Sequence, residues 1–203
     1  MGRTVYIVGN GPKGAPLFKQ PNKGIILTCN VPPFAIYGVY GTIMCDFKIM
    51  KAVSAGEIQV HGDWILGFRP KQWAQTTPGF MMKFGSQIKE FYTELPPYAG
   101  KGHEGYTNFN CGHLATYYAC RKLKADTVHM YGFDSLFELD IRSTTDFVLP
   151  SDRSDTNTLR LADKWRPIFQ NIFNQFPETK FKIHYYHDKI RMDMLPNMEI
   201  VTH

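Results

Sequence analysis

Short apolar runs ended by glycine or asparagine alternate with stretches of helical spacing along this chain. Thr4–Val8 (Thr-Val-Tyr-Ile-Val) is β-branched and aromatic and predicts a buried strand that stops at Gly9. Residues 24–29 predict a second strand, apolar on both faces as in a covered parallel sheet. Asn30 closes it, and Pro32-Pro33 forbids simple continuation of strand or helix. Between the two, a short or irregular helical segment is expected around residues 15–20. Residues 42–53 have a mixed pattern in which Asp46 interrupts an apolar stretch, and a third strand is expected to end near it. Residues 57–68 alternate in places and read as a strand or a hairpin.

From residue 69 to 110 prolines and glycines accumulate and periodicity fades, which predicts a loop-rich insertion or lid. Leu114, Ala115, Tyr118 and Leu123 then fall at helical spacing and predict a helix over 112–123, followed by a strand at Thr127–Tyr131 that ends at Gly132. Leu161, Trp165, Ile168, Phe169, Ile172, Phe173 and Phe176 form a broad helical stripe over 158–176, with Asp155 or Thr156 as its cap and Pro167 predicting a kink or break. Residues 181–186 read as a last strand. Strands and helices taken in turn predict an α/β fold: one domain over 1–203, with a Rossmann-like, mostly parallel sheet flanked by helices.

Composition supports a folded globule, with 43% hydrophobic and 14% aromatic residues. No apolar run approaches a membrane span, and the first residues lack the pattern of a secretory signal. Cys29, Cys45, Cys111 and Cys120 contain no Cys-x-x-Cys pair, so reduced thiols and a cytoplasmic location are expected. A formal charge of +5 is spread without a basic cluster. It suits an anionic small substrate and leaves nucleic acid as a less favoured partner. Homo-oligomer formation stays open.

The chemistry centres on Gly9-Asn10-Gly11-Pro12, directly after the first strand. Gly9, Gly11 and Gly14 satisfy Gly-x-Gly-x-x-Gly, whose backbone N–H groups can approach an anion while the next helix presents its positive end. Pro12 stands where a long helix should begin, and Asn30 stands where a dinucleotide fold has its ribose-binding acid. Asn30 can still donate and accept hydrogen bonds to a ribose or base edge. Asn10, Asn30, Asp46 and Gly132-Phe133-Asp134 all follow predicted strands, so a parallel sheet would bring them to one crevice.

These motifs resemble the bacterial sialyltransferases that use CMP-sialic acid on a Rossmann-like fold, and related uncharacterised glycosyltransferase-like proteins. The likeness lies in Gly9–Pro12, in Thr28-Cys29-Asn30, in the 110–115 stretch Asn-Cys-Gly-His-Leu-Ala, and in the 129–134 stretch ending Gly-Phe-Asp. The resemblance implies that Asn10 and Asn30 contact the nucleotide, that residues 110–112, including Cys111 and Gly112, lie over the cytidine or phosphate, and that tyrosines rather than a metal meet the phosphate. It covers about positions 4–46 and 108–160. The chain departs from it at Cys111, where that family has serine, and at Asp46, where it has asparagine. The family's histidine base is absent from the segment 149–154, leaving Asp152, another histidine or a different reaction.

Among the residues themselves, His113, Asp134 and Asp152 are the leading acid–base candidates, with His103, His184 and His187 behind them. Tyr92, Tyr98, Tyr106, Lys101 and Arg153 are available to a phosphate. The expected function is glycosyl transfer from a CMP- or UDP-type donor to a hydroxyl acceptor, with no tightly bound cofactor and no metal. The rivals are a pyrophosphokinase, an NAD-dependent enzyme, and a non-enzymatic nucleotide- or nucleic-acid-binding module.

Overall fold

Eight short strands, each dominated by apolar, β-branched or aromatic residues, carry the architecture. They are β1 (Thr4–Val8), β2 (Ile25–Cys29), β3 (Val39–Met44), β4 (Trp64–Leu66), β5 (Ile88–Phe91), β6 (Thr127–Tyr131), β7 (Lys180–Tyr185) and β8 (Met198–Thr202). The computed structural model describes residues 2–139, 142–150 and 161–203. Every neighbouring pair is parallel, in the order β5-β4-β3-β2-β1-β6-β7-β8. The chain therefore builds outward from β1 in one direction and then, from β6, in the other. This is an α/β fold of Rossmann-like architecture, extended by β4 and β5. Val8 pairs with both Thr28 and Tyr131, so β1, β2 and β6 end at one level.

Six α-helices lie among the described residues: α1 (Phe47–Ala55), α2 (Phe68–Thr76), α3 (Phe80–Phe84), α4 (Gly102–Asn108), α5 (Cys111–Arg121) and α6 (Arg166–Gln175). The main core joins one sheet face, through Val5, Ile7, Leu27, Val128, Met130 and Phe181, to Ala115 and Tyr118 of α5 and Phe169 and Phe173 of α6. A second core packs Met44, Trp64 and Leu66 against Ile49, Met50 and Val53 of α1 and Phe80 of α3. The hydroxyls of Thr28 and Thr42, both buried, pair with each other at 2.8 Å, so no polar atom is lost inside the sheet there.

Several expectations change. The segment 69–110 is not mainly loop: it carries most of α2, all of α3 and α4, and β5, which extends the sheet beyond β4. Its elements are short, so none accumulates a readable period. Asp46 does not merely interrupt a strand; its carboxylate accepts Lys48 N at 3.0 Å and caps α1, with Gly56 ending the helix at φ 75°. β8 follows the strand expected to be last, pairing with β7. In the late stripe a π-helical turn, Leu161–Trp165, precedes α6, and Pro167 sits in the first turn of α6, where its missing N–H costs nothing.

Candidate functional site

The loops after β1 and β6 leave the sheet where strand order reverses, and a cleft opens beside them at the carboxyl ends of the strands. A cavity of about 340 Å³ fills it, within the range of small-ligand sites. Asn10 and Gly11 reach it from β1, Asn30 from β2, Asp46 from β3, and Asp134 from β6. The start of α5 adds Cys111 and Gly112. Of the residues singled out from the sequence, Gly9, Asn10, Gly11, Asn30, Asp46, Cys111, Gly112 and Asp134 line this one cavity. Pro12 and His113 are not among its lining residues, and Asp152 lies outside the described residues.

The glycine turn serves a different purpose from the one its pattern suggests. Gly9 N donates to Tyr131 O at 2.8 Å and Gly11 N to Gly132 O at 2.9 Å. Lys13 N and Gly14 N both donate to the Asp134 carboxylate, at 2.7 and 2.8 Å. A side-chain carboxylate therefore occupies donors that a phosphate would use, and Pro12 has none to offer. A Cβ at Gly9 would stand 2.7 Å from Gly132 O, and one at Gly14 2.8 Å from Asp134 Oδ1. The glycines are needed because two loops pack backbone to backbone. The turn then runs into a single 3₁₀ turn, Ala15–Leu17, rather than a long helix. Burial raises the Asp134 pKa, and the two backbone donors oppose that shift.

Asn10 and Asn30 present opposite hydrogen-bonding faces. Asn10 Nδ2 donates to Val31 O at 2.6 Å and Thr144 Oγ1 at 3.4 Å, while Asn10 O accepts Thr144 N at 2.7 Å. Its amide hydrogens are thus spent on Val31 O, after β2, and on Thr144 Oγ1, and Oδ1 remains as an acceptor. Asn30 is the reverse. Its Oδ1 accepts the Cys111 thiol at 2.9 Å, which leaves the Nδ2 donor. Asn30 also holds a φ of 53°, a left-handed backbone rare for a non-glycine residue and common at binding sites. Cys111 Sγ in turn accepts Cys45 N at 3.0 Å, linking the ends of β2 and β3 to the start of α5. The Cys45 thiol is pushed up by its bond to Cys111 and by burial, and Cys29 by burial and then Cys111.

His113 is fully buried and both its ring nitrogens are engaged. Nδ1 accepts Asn110 N at 3.1 Å while Asn110 Oδ1 accepts His113 N, a reciprocal cap on α5. Nε2 lies 2.9 Å from Trp165 O, which fixes the proton there. Burial drives its pKa down to about 3, so the ring is a neutral fastener between α5 and the π-helical turn. Among the tyrosines, Tyr92 bonds to Glu94 and Tyr98 to Gln175, and Tyr106 alone reaches the cavity. Lys101, His103, His184 and His187 do not line it, and Arg153 lies outside the described residues. His184 belongs to a hydrogen-bonded row with His129 and His203, at 2.9 and 2.8 Å.

Among the cavity residues to which the sequence reading gave no role in the site are Arg69, Thr145 and Trp165, the last read only as part of the late helical stripe. Arg69 follows β4 by three positions and lies 4.9 Å over the Phe47 ring. Phe68 stacks on Tyr106 at 4.0 Å and ties α2 to α4 at the cavity rim. The signal for Arg69 was its place after a strand, obscured because residues 57–68 alternated too weakly to fix where β4 ends.

Comparison with protein-family models, curated proteins and solved structures returns no match. The site must be read from its own geometry. Among the described residues no helix is long and apolar enough to cross a membrane, and no three His, Cys, Asp or Glu side chains form a metal-binding group.

Proposed function

We propose that the chain is a transferase acting on a nucleotide-activated donor, and that it moves a sugar from a CMP- or UDP-type donor to a hydroxyl acceptor. The observation that carries this reading is the pairing of an acceptor, Asn10 Oδ1, with a donor, Asn30 Nδ2, in a cavity at the strand-order switch. A nucleobase edge or a ribose offers the complementary groups. The consumed donors of the glycine turn speak against a pyrophosphate seated there as in dinucleotide enzymes. The likeness of the Gly-Asn-Gly-Pro and Gly-Phe-Asp motifs to Rossmann-like sialyltransferases belongs with the same reading.

In this reading Arg69 and Tyr106, both on the cavity wall, meet the phosphate and stabilise the charge it gains on leaving. Asp46 takes the base role: its Oδ1 is held by Lys48 N, and its second oxygen is left for the acceptor proton. The acceptor oxygen forms the new bond to the anomeric carbon as the bond to phosphate breaks. The electron pair leaves on the phosphate oxygen and the proton passes to Asp46. Release of CMP or UDP from nucleotide sugars, with and without hydroxyl acceptors, tests this directly. Asp46→Asn should cut turnover about 100-fold or more while leaving nucleotide affinity within about threefold. Unaltered turnover in that variant would remove Asp46 from the mechanism, and no release from any donor would remove the transferase reading.

A further inference from the structure

Two buried side-chain atoms among the described residues have no hydrogen-bond partner, Thr145 Oγ1 and Trp165 Nε1. They come from different elements, the 3₁₀ turn Thr144–Phe147 and the π-helical turn Leu161–Trp165, yet both residues line the same cavity. Buried polar groups almost always find a partner, because an unmet one forfeits its bonds to water and gains nothing in exchange. Valine would fill nearly the same volume as Thr145 without that loss. An indole N–H can only donate, so the partner missing from Trp165 is an acceptor, and the threonine hydroxyl can serve the same oxygen or its neighbour.

We propose that Thr145 Oγ1 and Trp165 Nε1 form a second subsite, beside the nucleotide contacts, that takes an oxygen-rich group of the donor, namely the hydroxyl-bearing ring to be transferred. This rests on the nucleotide-donor reading and extends it to a part of the cavity lining that reading leaves unassigned. Phe133 and Phe169, which line the same cavity, supply apolar surface of the kind a sugar ring packs against. Neither orphaned atom meets solvent in the empty cavity, so occupation requires a local shift. The π-helical turn that ends at Trp165, with its wide and weakly bonded backbone, is the element suited to give way.

The test uses Thr145→Val, which keeps the shape of the side chain, and Trp165→Phe, which removes the N–H together with part of the ring, in the full chain. Thermal melts without ligand are compared with calorimetric titrations of CMP, UMP, CMP-sialic acid and UDP-glucose. In Thr145→Val, deleting an unmet polar atom should leave the empty protein as stable or raise its melting temperature, whereas the smaller ring of Trp165→Phe leaves a cavity and lowers it. Both variants should weaken nucleotide-sugar binding by about tenfold and spare the mononucleotides. That opposition of sign in Thr145→Val is one a structural role would not produce. Equal weakening of mononucleotide and nucleotide sugar would overturn the proposal, because the lost contact would then lie on the nucleotide and not on the transferred ring. Unchanged affinity for every nucleotide in both variants would overturn the subsite while the nucleotide reading stands. A lower melting temperature in Thr145→Val would also overturn it, as the mark of an internal water-bridged bond. If the wild-type chain bound none of the four, subsite and nucleotide reading would fall together.

Discussion

Asn30 concentrates more of the site's logic than any other residue. Its left-handed backbone turns the chain away from β2, its Oδ1 anchors Cys111, and its Nδ2 is the donor that the proposed reading gives to the nucleotide. Glycine accepts the same backbone without strain, so Asn30→Gly isolates the side chain. The variant should hold stability within about 1 kcal/mol of wild type and lose about tenfold in nucleotide affinity, measured by chemical denaturation and calorimetry. Retained affinity would show that Asn30 shapes the loop and nothing more. His113 illustrates the opposite case. A histidine beside a helix start reads as chemistry in a sequence, but its role depends on what each ring nitrogen touches, and only the folded chain brings Trp165 O to it. His113→Leu breaks the reciprocal cap and strands a carbonyl, and should lower stability by about 2–3 kcal/mol in a denaturant melt. A loss of activity with full stability would instead return the ring to catalysis.

Two loops are pressed together where the strand order reverses. The Gly9–Gly14 turn lies against Gly132–Asp134 so closely that side chains do not fit, and Asp134 holds the turn by its carboxylate. In Gly11→Ala the new methyl meets Gly132 O and the Asp134 carboxyl group, both fixed by hydrogen bonds. A cost on the order of 2–3 kcal/mol is expected, read as a lower midpoint in denaturant, and a neutral outcome would contradict the packing. β1, β2 and β6 were legible as short, mainly apolar or β-branched runs, and β7 from its alternation. α5 was legible from its period, and the convergence of Asn10, Asn30, Asp46 and Asp134 followed from strand ends alone. α1 was missed because Asp46 looked like an interruption when it was a cap. β5 (Ile-Lys-Glu-Phe) and β8 (Met-Glu-Ile-Val-Thr) sit at the sheet edges, where charge is tolerated and the apolar run is broken. Thr145 and Trp165 could not be found, since an unmet hydrogen bond exists only in three dimensions.

The whole molecule carries an acid-sensitive balance. Burial holds His113 neutral, with a pKa near 3; for His184 burial is aided by His129, His203 and Lys182 to the same value of about 3. In the unfolded chain both titrate at about 6.5. Their contribution to stability is therefore complete above about pH 6.5 and is lost as pH falls from there towards 3. Asp134, whose carboxyl is raised, works in the other direction and offsets part of the loss. Thermal melts should reach a plateau above neutrality and fall through mildly acid pH, with a shallower fall in His113→Leu; a flat or rising profile would contradict the buried neutral rings. On the same scale lies the central claim, that a parallel sheet reversing its order at β1 and β6 presents a mononucleotide site. Its most direct test is a calorimetric titration of wild type and Asn30→Gly with CMP, UMP, UDP, ATP and NAD. The account predicts saturable binding of a cytidine or uridine nucleotide that weakens about tenfold in the variant. Binding of NAD alone, or of no nucleotide at all, would contradict it.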